Sequence, residues 1–217
     1  LCRITFITIS SPERIVAVLK TIPLLSLIAA LPAIAMAQPG DPAAGRIDAY
    51  NQAVIGIMKD GPKLGVKGRA ARFQPVVSDY YGMAMIAQVA AGSGWSSASA
   101  ADRQALVAAL TKHSAASLAS NFDRYAGEKF TVDPHVQQRG SDRLVSSSIT
   151  PPNGSATTLI YRMRQSGGQW GILDVIADGV SQLAMQRADF AQTVAAGGLP
   201  ALVRKLAAID AKMLSGS

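Results

Sequence analysis

The sequence predicts an α+β domain: an antiparallel four-stranded meander wrapped by N- and C-terminal helices around an apolar pocket. Three observations predict it. Apolar residues recur at helical spacing up to about residue 125 and again after residue 180. From Gly127 to Ala177 the period falls to two, the spacing of strands. Within that stretch PPNGS and QSGGQ supply tight-turn chemistry between successive strands, so neighbours along the chain pair antiparallel. Helices, then a meander, then helices is the order of an α+β fold.

The first stretch reads as a leader. Residues 14–37 are RIVAVLKTIPLLSLIAALPAIAMA: basic Arg14 and Lys20, a run of apolar residues, then the small-x-small signature Ala35-Met36-Ala37. That is the grammar of a secretory signal peptide with cleavage after Ala37, preceded by an upstream extension. Pro23 and Pro32 interrupt the apolar run, which is short for a membrane span. The expected organisation is residues 1–37 as signal peptide and 38–217 as one domain, exported to a periplasm. Cys2, the one cysteine, lies in the leader. The domain after it has no disulfide, thiolate ligand or thiol nucleophile. Of the formal +7 charge, Arg3, Arg14 and Lys20 against Glu13 contribute +2, leaving +5. The basic residues are scattered rather than clustered, which argues against nucleic-acid binding and suits a transient approach to an anionic membrane or an acidic partner.

Each element follows from local pattern. One helix is expected over about 45–59 and, after the loop GPKLGVKG, a second over 69–91. Phe73, Val76, Val77, Tyr80, Tyr81, Ala84, Met85 and Val89 give the second a broad apolar face. Ser99 with Asp102 three residues on resembles a capping box and opens a third helix. Leu106, Leu110, Leu118, Phe122 and Tyr125 form its stripe. Strands are expected over 129–136, 142–150, 157–164 and 169–177. Two closing helices, 180–195 and 199–214, are divided at Gly197-Gly198. Strand alternation puts large side chains on both sheet faces: Leu159, Tyr161 and Met163 share one, and on the last strand Trp170, Ile172 and Ile176 oppose Leu173 and Val175. Helices must cover both faces, or one face must look into a cavity. Methionine abundance fits an adaptable apolar pocket, and fits an ordinary core equally well.

Candidates for chemistry are few. His113 and His135 have no partner at zinc-ligand spacing, and neither a nucleophile elbow nor a phosphate-cradling glycine loop is present. No metal or cofactor is expected. Asp174, Asp178 and Ser181 read as a strand-turn-helix joint: a buried acid needing a partner, a turn pair Asp178-Gly179, and a helix cap. An active site built on Asp174 or His113 is the competing reading.

The final third carries a resemblance. In LIYRMRQSGGQWGILDVIADGVSQLAMQRADFAQTVAAGGLPALVRKL, Trp170 is followed by Asp174, then Asp178-Gly179-Val180-Ser181, Phe190, Gly198, Leu202 and Leu206. Upstream, Trp95, Arg103, Tyr125 and Gly127 fall at matching places. This pattern resembles the MlaC family, the periplasmic auxiliary components of toluene-tolerance type lipid ABC transporters, and its wording is closer to the hopanoid-biosynthesis-associated branch, HpnM. The resemblance implies a periplasmic carrier that performs no chemistry. Lipid tails of a phospholipid or hopanoid would lie inside, passed between an inner-membrane transporter complex and an outer-membrane complex. Matching positions imply a pocket lined by Met85, Val89, Leu118, Phe122, Tyr161 and Val180. Periodicity adds Phe73, Val77, Tyr81, Met163, Val175 and Leu183. Plain core packing is the alternative for each. A small periplasmic enzyme acting on an apolar substrate, or an adaptor without lipid, are the alternatives for the whole.

Overall fold

The computed structural model describes residues 40–215, so the expected leader and its cleavage site lie outside the described residues. Helix α1 spans Pro42–Tyr80. Asp41 caps it, its carboxylate accepting from the Ala43 N–H at 2.8 Å, and Pro42 takes the first position, where its missing N–H costs nothing. The two helices expected over 45–59 and 69–91 are joined differently. The GPKLGVKG segment stays helical and only kinks, at Gly65, whose φ of 61° is the left-handed conformation that glycine tolerates. Arg69, just past the kink, donates to the carbonyls of Gly61 (3.2 Å) and Ala119 (2.9 Å), holding both segments against one neighbour.

The real break comes at Tyr81–Gly82, inside the apolar stripe, and helix α2 covers Met83–Ala91. There the chain pairs with the sheet: Tyr81 bridges Ile172 and the Gly82 N–H donates to the Ile172 carbonyl at 2.9 Å. Glycine is needed at this touch. A Cβ on Gly171 would lie 3.1 Å from the Gly82 nitrogen, and one on Gly82 2.8 Å from Leu173 Cδ2. The apolar period runs on through the break, so sequence pattern could not reveal it.

A single turn, α3 (Gly94–Ser97), leads to α4 (Ala100–Asn121), capped as expected by Ser99, which accepts from the Asp102 N–H at 3.1 Å. Arg103 donates to the carbonyls of Trp95 and Ser96 and stacks over the Trp95 ring, fixing the corner before α4. Phe122 forms the C-cap, so Tyr125, expected on this helix, lies beyond it on the surface.

Among the described residues the sheet has six strands rather than four: β1 (Lys129–Val132), β2 (Gln137–Arg139), β3 (Asp142–Thr150), β4 (Thr157–Ser166), β5 (Gln169–Ala177) and β6 (Val180–Ser181). The expected first strand, 129–136, stops at Val132 before the Asp133-Pro134-His135 turn, and an unexpected short strand, β2, follows it; the two pair with opposite ends of β3. The meander β3-β4-β5 is as predicted, with Gly167 and Gly168 at positive φ in its second hairpin. Val180 belongs to β6, not to a helix. Helix α5 then runs Gln182–Leu214, kinked at Gly197 and Gly198 as expected.

The alternation on β5 needs correction. A register shift opposite Arg162 and Met163 makes Leu173 an extra residue. Tyr161 then pairs with Val175 and Met163 with Ile172, so Ile172 and Val175 share one face instead of opposing each other. That face, with Val145, Tyr161 and Met163, is buried under the helices. Leu144, Ile160 and Ile176 on the other face are half-buried, lie outside the main core cluster, and share their face with Arg162 and Arg164. The helices therefore cover one face and not the other.

Candidate functional site

The predicted lining residues fall into two groups. The first is the seam between the inner sheet face and the helices. Phe73 and Val77 on α1 and Met163 on β4 are wholly buried; Tyr161 and, on α5, Leu183 nearly so. Tyr81 at the α1–α2 junction, Val175 on β5, Leu118 on α4 and Phe122 at its end pack half-buried against them. Phe122 links Phe73 to Phe130 of β1, each ring pair 6.4 Å apart, so one aromatic row ties α1, α4 and the sheet.

The second group faces outward. Met85 is half-buried and Val89 is 38% exposed on α2; Val180 on β6 is 46% exposed. Met185 on the first turn of α5, which the sequence reading passed over, is 49% exposed. α2 packs on α5 and β5, and β6 pairs with β5, so these apolar side chains sit on adjoining elements around the Tyr81–Gly82 break. Val89, Val180 and Met185 are, with Tyr125, the large apolar side chains left exposed among the described residues. The outward group forms an apolar lip beside that break.

Sequence reasoning missed what stands in the middle of the seam. Tyr50, on the expected first helix, packs edge-on against Tyr81 and Tyr161, with ring centroids 5.8 and 5.9 Å away. Its hydroxyl lies 3.0 Å from that of Tyr81. Burial raises the pKa of all three hydroxyls, to about 12 for Tyr81, so they stay neutral and able to donate. Arg46 rests over the Tyr80 ring, at 4.1 Å from its centroid, and pairs with Asp79 at 3.0 Å. Beside Tyr50, Asn51 is buried and donates to Ser147 of β3 at 3.0 Å. The signal was present in the helical spacing Ile47, Tyr50, Val54, Ile57 and Met58, all buried.

The joint at 169–183 resolves into contacts. Asp174 is buried; its carboxylate accepts from the Ser181 hydroxyl (2.6 Å) and from the Leu183 N–H (3.0 Å), while Ser181 accepts from the Ala184 N–H (3.0 Å). Acid and serine together cap α5. Trp170 carries the Arg143 guanidinium 5.3 Å from its ring, and Arg143 also pairs with Asp41 at the start of α1. His113 meets Asp210 of α5 at 2.7 Å, and His135 meets Asp133 at 2.9 Å. Both histidines thus have acids other than Asp174. Among the described residues no cluster of three or more His, Cys, Asp or Glu could hold a metal, and no helix is long and apolar enough to cross a membrane. Ser181→Ala is expected to lower stability by about 1 kcal/mol through the lost cap. Asp174→Asn should cost more, about 1–3 kcal/mol, because an amide cannot accept from both Ser181 and Leu183 with a charge's strength. Denaturant unfolding checks both; an unchanged midpoint for Asp174→Asn would contradict the capping role.

Two comparisons with known proteins bear on the chain. The sequence profile of the family described as MlaC protein matches residues 48–208. The solved structure of a phospholipid-binding protein from Ralstonia solanacearum, in complex with a phospholipid, superposes with a TM-score of 0.65 at 21% identity, covering 80% of this chain and 99% of that one. At that identity it is the fold that is shared. No curated protein matches the sequence.

Proposed function

The chain belongs to the MlaC protein family, and from that premise we propose that it is a periplasmic lipid carrier. It holds lipid tails in the seam between sheet and helices and exchanges them at the Val89–Val180 lip with membrane complexes of an ABC-type transport system. The observation that carries the reading is the lip itself. Met85, Val89, Val180 and Met185 leave apolar surface in water where α2, β6 and α5 adjoin, beside the buried seam. That the Ralstonia protein of the same fold is described as phospholipid-binding supports the choice of a lipid.

The energetics suit a carrier without specific head contacts. Each buried methylene is worth about 0.8 kcal/mol, so a sixteen-carbon tail offers roughly 13 kcal/mol before ordering costs. An apolar seam alone can therefore hold a tail against water, and release requires a partner with another dry environment. In the conformation described here Phe73, Val77 and Met163 are fully packed, so loading requires the helices to part from the sheet. The Tyr81–Gly82 link, one bridge and one hydrogen bond between helix layer and sheet edge, is the natural place to yield. The cargo is a phospholipid or a hopanoid-type lipid, and the partners are an inner-membrane transporter complex and an outer-membrane complex.

Native mass spectrometry of protein purified from the periplasm tests the reading. A carrier is expected to show adducts of lipid mass at up to one equivalent. A bare chain, from preparations that keep weak lipid complexes intact, would refute it in favour of an adaptor.

A further inference from the structure

We propose that the seam recognises a hydroxyl group on the apolar body of its lipid, through Asn51 of α1 and Ser147 of β3; this rests on the carrier reading above. Asn51 is 1% and Ser147 2% exposed, and the strand partners of Ser147 are Val132 and Leu159. The Asn51 amide nitrogen donates to Ser147 Oγ at 3.0 Å, and its Oδ1 is buried with no hydrogen-bond partner. Turning the amide over does not help, because the nitrogen is then the end left alone. Buried polar atoms are nearly always hydrogen-bonded, so one left over asks for a partner.

The placement says where that ligand lies. Asn51 follows Tyr50, whose ring touches Tyr81 and Tyr161. Ser147 pairs with Leu159 and stands two residues from Val145, which pairs with Tyr161, so all four share the inner sheet face. Ser147 is thus on the sheet wall that carries Tyr161 and Met163, and Asn51 faces it from the helix wall beside Tyr50. When a lipid parts α1 from the sheet, Asn51 moves with one wall and Ser147 stays on the other. Their mutual bond is then lost, and plain hydrocarbon between them satisfies neither.

The chemistry selects the group that can fill the gap. An ammonium only donates and a carboxylate only accepts, and each carries a charge that this apolar seam would not tolerate. A hydroxyl is neutral, and it both donates and accepts. It can bond Asn51 in either orientation of the amide and Ser147 at the same time. Sites built to bond a hydroxyl discriminate strongly against the analogue that lacks it, because their own polar groups are stranded. A trapped water is the rival occupant, since it too donates and accepts.

The experiment compares two probes, stearate and a mid-chain hydroxystearate, on delipidated full-length mature protein, Asn51→Leu and Ser147→Ala. Dissociation constants come from displacement of a fluorescent fatty acid. The wild type is expected to favour the hydroxylated probe about tenfold more strongly than Asn51→Leu does, a difference of about 1.4 kcal/mol. Ser147→Ala should lose part of the preference, and decides the matter alone if the leucine variant fails to fold. An equal probe ratio in all three proteins overturns the proposal. Folded wild type that takes up neither probe instead overturns the carrier reading, and this inference with it.

Discussion

Val89→Asp and Val180→Asp are expected to give folded proteins that carry no lipid. Both side chains stand on the lip, 38% and 46% exposed, so a carboxylate at either place reaches water without disturbing the packed seam. Surface changes of this kind stay within about 0.5 kcal/mol of the parent. The effect on cargo is much larger. A tail crossing the lip would have to desolvate the new charge, at a cost of several kcal/mol, which outweighs the methylenes gained there. The contrast is Met163→Asp, whose side chain has no exposure at all and nowhere to send the charge. That variant is expected to unfold, because several kcal/mol is a large share of a domain's whole stability. The measurement is circular dichroism melting paired with extracted lipid per mole of protein. Folded lip variants with a full lipid load would remove Val89 and Val180 from the site. Lip variants that unfold like Met163→Asp would place them in the core instead.

Much of the fold was legible because local chemistry is strong where it is simple. Ser99 and Ser181 were readable as helix caps from their position before apolar runs, and both accept the expected backbone N–H. The second hairpin was readable from its paired glycines, and the Gly197-Gly198 kink from the same residue type. What failed was any boundary decided by a distant partner. The helix break at Tyr81 is made by hydrogen bonds to Ile172, ninety-one residues further along the chain, while the apolar stripe continues unbroken through it. The extra residue Leu173 in β5 is invisible to alternation, and it reversed the side on which Val175 and Ile172 meet. The GPKLGVKG stretch looked like a loop by composition, yet only Gly65 leaves the helical conformation there.

The candidate site was half legible for a related reason. Periodicity finds residues that face a core but cannot separate a packed seam from its exposed lip. Phe73 and Val89 therefore entered the same expectation although one is buried and the other is not. Asn51 and Ser147 escaped altogether. A lone amide and a serine in a run of three serines carry no periodic signal, and it takes the pairing of α1 on β3 to bring them together.

Phe73→Ala is expected to be the most destabilising truncation in the seam, and also the one most nearly repaired by lipid. The ring is wholly buried, and it begins the row Phe73–Phe122–Phe130 that joins α1 and the end of α4 to β1. Replacing a buried phenylalanine by alanine costs about 3–5 kcal/mol, through lost transfer energy and the cavity left behind. In a domain of this size each kcal/mol moves the melting temperature by about 2–4 °C, so a fall on the order of 10 °C is expected for lipid-free protein. In an ordinary core nothing in solution can fill that cavity. In a carrier the cavity opens onto the path of the tails, and a bound acyl chain can occupy it. Ligand at a hundred times its dissociation constant stabilises by about 2.7 kcal/mol, and in Phe73→Ala the added contacts should make the rise larger than in the wild type. Melting both proteins with and without added fatty acid separates the two cases. A large loss that lipid does not restore, in a variant that still binds the fatty acid, would mean that the tails never reach the Phe73 end of the seam.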